Sequence, residues 1–104
     1  MIKLTPELKK KWVDALRSGK YRQSRGALKG QRGYCCLGVL ASLAGVEDEK
    51  LKKYSGDPLN NFGIELPVHA NKRERADTET CLISLNDDAH YSFKKIADWV
   101  ERYL

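Results

Sequence analysis

Apolar positions recur along this chain in two different periods. Near the N terminus Leu8, Trp12, Ala15 and Leu16 fall at helical spacing on one face. Thr5-Pro6-Glu7 precedes them with a hydroxyl cap, a proline at the first helical position and an acid near the positive end of the dipole. Ser18-Gly19 closes this helix, since glycine accepts the left-handed conformation of a C-terminal cap. Tyr34 to Ala44 is apolar nearly all round, through Cys35, Cys36, Leu37, Val39, Leu40 and Leu43. That pattern predicts the central, most buried helix, ended at Gly45. Glu47-Asp48-Glu49 ahead of Lys50, Lys52 and Lys53 predicts a short exposed helix, anchored by Leu51 and Tyr54 and broken at Ser55-Gly56-Asp57-Pro58.

The period then changes to two. Phe62, Ile64, Leu66 and Val68 alternate with Gly63, Glu65 and Pro67, which predicts a strand that the proline confines to a sheet edge. Residues 69–77 are polar and charged and predict a surface loop. Thr78 is expected to cap a helix carrying Cys81, Leu82, Ile83 and Leu85, ending at Asn86-Asp87-Asp88. Ser92 is expected to cap the last helix, whose stripe is Phe93, Ile96, Val100, Tyr103 and Leu104, with Trp99 beside it. Residues 20–33 contain three glycines and few large apolar groups, so they predict a loop, with a short hairpin turn at Leu28-Lys29-Gly30-Gln31. At 104 residues the chain fits one domain, residues 1–104. The expected fold is mainly helical α+β: four or five short helices with a small β-hairpin or sheet.

Charge sharpens this picture. The chain carries 19 Lys and Arg against 14 Asp and Glu, a net +5. The excess is segregated: residues 1–34 hold ten cations and two acids, and the remainder nine and twelve. From Arg17 to Arg32 there are six cations and no acid, set among Gly, Gln, Ser and Tyr. Exposed backbone N–H groups and neutral donors beside guanidinium groups suit phosphate or another anionic surface. The expected ligand-binding residues are therefore Arg17, Lys20, Arg22, Gln23, Arg25 and Arg32. Asn86 joins them if the corner at Asn86-Asp87-Asp88 packs beside this loop; otherwise it is a left-handed helix C-cap.

Nucleic acid is a natural partner for a basic patch, and a DNA-binding regulator is the alternative reading. Against it, Lys9, Lys10 and Lys11 are consecutive and fan around their helix, and only Tyr21 and Tyr34 offer stacking near the patch. Cys35, Cys36 and Cys81 are an odd set with a vicinal pair, unsuited to disulfides or zinc knuckles, and are expected as free buried thiols in a reducing compartment. A cysteine enzyme would need Cys35 or Cys36 beside His69 or His90 as base. The reading is non-enzymatic, with no metal and no cofactor. The N-terminal residues lack the apolar run of a secretory leader. The longest uncharged stretch, Tyr34 to Val46, is thirteen residues and too short for a membrane span.

Three strings carry a resemblance. Trp12-Val13-Asp14-Ala15-Leu16-Arg17-Ser18-Gly19-Lys20-Tyr21-Arg22-Gln23, Tyr34-Cys35-Cys36-Leu37-Gly38-Val39-Leu40, and Leu82-Ile83-Ser84-Leu85-Asn86-Asp87 followed by Ser92-Phe93-Lys94-Lys95-Ile96-Ala97-Asp98-Trp99-Val100 resemble small uncharacterised proteins encoded by bacteriophages and prophages. The likeness covers about residues 12–46 and 82–104. It implies a phage accessory protein in the bacterial cytoplasm that acts by binding an anionic small molecule such as a nucleotide, or an acidic host or defence protein. A homo-oligomer is compatible with this reading.

Overall fold

The computed structural model describes residues 2–25, 28–30, 33–52 and 59–104. The first helix, α1 (Pro6–Ser18), starts where its capping chemistry dictates: the Thr5 hydroxyl accepts from Leu8 N at 3.1 Å, and Gly19 stops it at φ 78°. Its apolar face, Trp12, Val13 and Leu16, is buried. The most hydrophobic segment forms α2 (Cys36–Leu43), shorter at its N terminus than expected because Cys35 is the cap and Tyr34 is extended. Gly45 follows at φ 97°, and Val46 N returns to Ala41 O. Next come α3 (Asp48–Lys52), a 3₁₀ turn (Leu59–Phe62), α4 (Thr78–Asp87) and α5 (Phe93–Tyr103). The expected anchor Tyr54 and the breaker residues 55–58 lie outside the described residues.

The predicted strand survives only as β2 (Ile64–Glu65), because Phe62 belongs to the 3₁₀ turn and Pro67 has no N–H to donate. It pairs in parallel with β1 (Ile2–Lys3), an element the alternation pattern does not reveal. The fold is thus mainly helical α+β with a two-stranded parallel sheet. The long face of α1 packs on α5, and α2 sits between α1 and α4. Leu37, Val39, Leu40, Ile96 and Val100 are fully buried with Trp12, whose indole N–H donates to Cys36 O at 2.9 Å. That bond ties α1 to the first turn of α2 and satisfies the one polar atom of the largest core side chain. No helix among the described residues is long and apolar enough to cross a membrane.

Candidate functional site

The cationic segment between α1 and α2 is a tightly pinned loop. Ser24 N donates to Tyr34 O and Tyr34 N to Arg22 O, both at 2.8 Å, so its two arms run together. Gly30 N donates to Gly33 O, and Lys29 opposes Tyr34 in an antiparallel bridge. Of the expected turn at residues 28–31, Gln31 lies outside the described residues. Gly33 is required by close approach: a Cβ there would sit 2.1 Å from Arg22 O. Leu28 pins the loop to the core with 3% exposure, worth about 1.5–3 kcal/mol of apolar burial. Its carbonyl accepts from Cys35 N at 3.1 Å and lies where a Cβ on Gly38 would be, 1.8 Å away. The Cys35-Cys36-Leu37-Gly38 string is thus the floor on which the loop rests.

A second fastening comes from α4. Asn86 is fully buried in the last turn of that helix, with helical backbone, so it is not the left-handed C-cap; the positive φ at this corner belongs to His90, at 54°. Its Oδ1 accepts from Gln23 Nε2 at 3.0 Å and from Cys36 N at 3.3 Å. Its Nδ2 donates to Ser24 O at 2.9 Å and to Asp87 Oδ1 at 2.8 Å. Both lone pairs and both amide protons are therefore used. Gln23 Nε2 also donates to Tyr91 O at 2.7 Å, and Arg25 Nε to Asn86 O at 3.0 Å.

These bonds sort the seven expected residues. Asn86 and Gln23 pack against each other as an internal latch. Arg17 is turned towards α5: Nη2 meets Asp98 Oδ1 at 2.7 Å and Nη1 meets Glu101 Oε2 at 2.9 Å. Those two hydrogen bonds push its pKa up. Arg32 lies outside the described residues. Lys20, Arg22 and Arg25 remain, all exposed, with no carboxylate among the described residues within ion-pair distance. Lys29 is neutralised at the loop's flank: Nζ stands 3.9 Å from Asp48 Oδ2 and 4.3 Å from the Tyr34 ring centroid. The Tyr34 hydroxyl donates to Asp48 at 3.0 Å, and its ring meets Tyr21 edge-on at 5.3 Å.

The thiols sit in environments that keep them protonated. Cys35 Sγ caps α2 by accepting from Gly38 N at 3.4 Å, and burial pushes its pKa up to about 11. Cys36 is pushed well above the usual range by burial, and its Sγ faces Leu82 O at 3.6 Å. Neither has a histidine beside it among the hydrogen bonds of the described residues. The juxtaposition sequence spacing missed is Cys81 with His69, 3.6 Å apart. Asn71 N donates to His69 Nδ1 at 3.2 Å, and Nε2 meets Ala76 O at 2.7 Å. The proton therefore resides on Nε2, which has no lone pair for the Cys81 thiol. Burial raises the Cys81 pKa as well. Among the described residues no group of His, Cys, Asp and Glu is arranged to hold a metal ion.

A family model described as a domain of unknown function (DUF8296) matches residues 4–55. No curated protein and no solved structure matches the chain. The matched span contains α1, the cationic loop, α2 and α3, whereas the latch residue Asn86 and the acids that neutralise Arg17 come from the other half.

Proposed function

This chain belongs to the DUF8296 family, and we propose that it is a non-enzymatic binding module whose rigid cationic tip, Lys20, Arg22 and Arg25, docks on an acidic protein surface. One observation carries this reading. The flanking cations Arg17 and Lys29 have internal carboxylate partners, while the three at the tip have none among the described residues. Their backbone is nevertheless held: Tyr34 N donates to Arg22 O, Lys20 N donates to the Ser18 hydroxyl, and Asn86 donates to Ser24 O between Arg22 and Arg25. A tip ordered in advance loses little conformational entropy on docking, and concentrated positive charge raises the association rate.

A nucleotide would need a concave site that buries most of its surface. Lys20, Arg22 and Arg25 instead stand exposed, which suits a contact across a surface. The resemblance to phage and prophage proteins supports a host or defence protein in the bacterial cytoplasm as the acidic partner. The test is affinity capture from such a host on immobilised chain, wild type against Arg22→Ala/Arg25→Ala. An acidic protein retained by the wild type and lost by the double variant supports the reading. Equal capture by both overturns it. So does retention of duplex DNA instead, with the steep salt dependence of phosphate contacts.

A further inference from the structure

We propose that the groove between residues 64–69 and 74–79 is a second docking site, independent of the cationic tip, for an extended lysine- or arginine-bearing segment of a partner protein. The groove encloses about 590 Å³. One wall is the extended chain that continues β2 through Leu66, Pro67 and Val68; the other is the loop and first turn of α4. Three bonds hold the walls in place. Thr78 Oγ1 donates to Pro67 O at 2.5 Å, His69 Nε2 to Ala76 O at 2.7 Å, and Leu59 N to the Glu79 carboxylate. The groove is thus preformed, which lowers the cost of filling it.

Its chemistry selects the occupant. Half-buried Leu66 and exposed Val68 supply apolar surface above Leu59 and Ile64, which are buried in the core; Val68 stands at the rim with 93% exposure, against 39% for Ile2, the other exposed large apolar side chain described. Among the described residues, Glu65, Glu74, Asp77 and Glu79 line the same groove with one Lys or Arg, Arg75. The groove lies in the part of the chain, residues 35–104, that carries twelve acids against nine cations. Glu79 is half-buried at the start of α4, where one of its oxygens takes Leu59 N, so its carboxylate is held in place for a cationic side chain to reach. An extended segment alternates its side chains, which lets apolar groups face Leu66 and Val68 while neighbouring cations meet the carboxylates. The aliphatic stems of Lys and Arg suit the same mixed lining.

The probe is a fluorescein-labelled peptide of about eight alternating lysine and valine residues, titrated with the full chain and followed by anisotropy. The expected result is saturable binding, absent for the same peptide with glutamate in place of lysine. Amide resonances of residues 64–69 and 74–79 should move. Glu65→Lys/Val68→Lys changes two exposed side chains and should weaken binding at least about tenfold with an unchanged melting temperature. Arg22→Ala/Arg25→Ala should leave it unchanged, which separates this groove from the tip. Absence of binding at low salt, or equal binding by Glu65→Lys/Val68→Lys, overturns the proposal. A salt-sensitive dimer of the chain that Glu65→Lys dissociates also overturns it, by making a second copy the occupant.

Discussion

Gln23 and Asn86, 63 positions apart in the chain, meet side chain to side chain at 3.0 Å, and this contact joins the cationic loop to the end of α4. The same Asn86 amide holds Ser24 O and Cys36 N. It therefore connects three segments that share no sequence neighbourhood. Removing it takes away one partner of the half-buried Gln23 amide and strands the buried Cys36 N–H and the Ser24 carbonyl. Asn86→Ala is expected to lower stability by about 2–4 kcal/mol, given the cost of buried polar groups left without partners. Urea denaturation reads the loss. Amide exchange should accelerate in residues 20–25, while the α1–α5 contact keeps its protection.

Gly38 offers a test with an unusual sign. It lies inside α2, where alanine ordinarily stabilises a helix by about 0.5–1 kcal/mol over glycine. Here the added methyl would overlap Leu28 O. Gly38→Ala is expected to destabilise instead, by about 1–3 kcal/mol, because the loop must lift off α2. A more stable Gly38→Ala protein in thermal melts would show that Leu28 does not rest on this turn.

How much of this was legible beforehand follows from where the signals sit. The caps Thr5 and Ser92 and the stripes behind them are local, and α1 and α5 form where they point. At α4 the cap is Asp77, whose carboxylate accepts from Thr80 N at 2.7 Å, while Thr78 turns to Pro67 O. The spacing alone does not choose between two adjacent capping residues. The β1–β2 pairing joins two-residue strands about sixty positions apart, too short to show a period. Counting cations located the basic segment. It did not separate Arg17 from Arg22, because the acids that neutralise Arg17 arrive on α5 through tertiary packing.

Cys35 ties alkaline stability to the loop's floor. Its pKa is raised by burial from 9.0 to about 11 in the folded protein. A raised pKa means that the unfolded chain loses its thiol proton first, so stability is fully present below pH 9 and falls as the pH rises from 9.0 towards about 11. Cys35→Ser keeps an acceptor at the cap of α2 and should flatten part of that fall. Urea midpoints at pH 8 and pH 10 for both proteins check it. In native protein at pH 7, iodoacetamide should label Cys35 and Cys36 slowly, and denaturant should release fast labelling. Rapid native labelling would return the cysteine-enzyme reading to consideration.

Arg17 and the pair Arg22 and Arg25 separate charge that holds the fold from charge that faces outward. Arg17 reaches two acids of α5, so Arg17→Ala removes contacts across α1 and α5 and should lower the melting temperature slightly. It takes nothing from the tip, and acidic-partner capture should persist. Arg22→Ala/Arg25→Ala should do the opposite. Arg22 makes no ion pair among the described residues, and Arg25 contributes one hydrogen bond to a backbone carbonyl, so the melting temperature should barely move while capture is lost. The association rate should fall with added salt in the wild type and respond far less in the double variant, since screening acts on charges that meet across solvent. If Arg17→Ala instead abolishes capture at an unchanged melting temperature, the docking surface runs along α1 and α5, not through the loop.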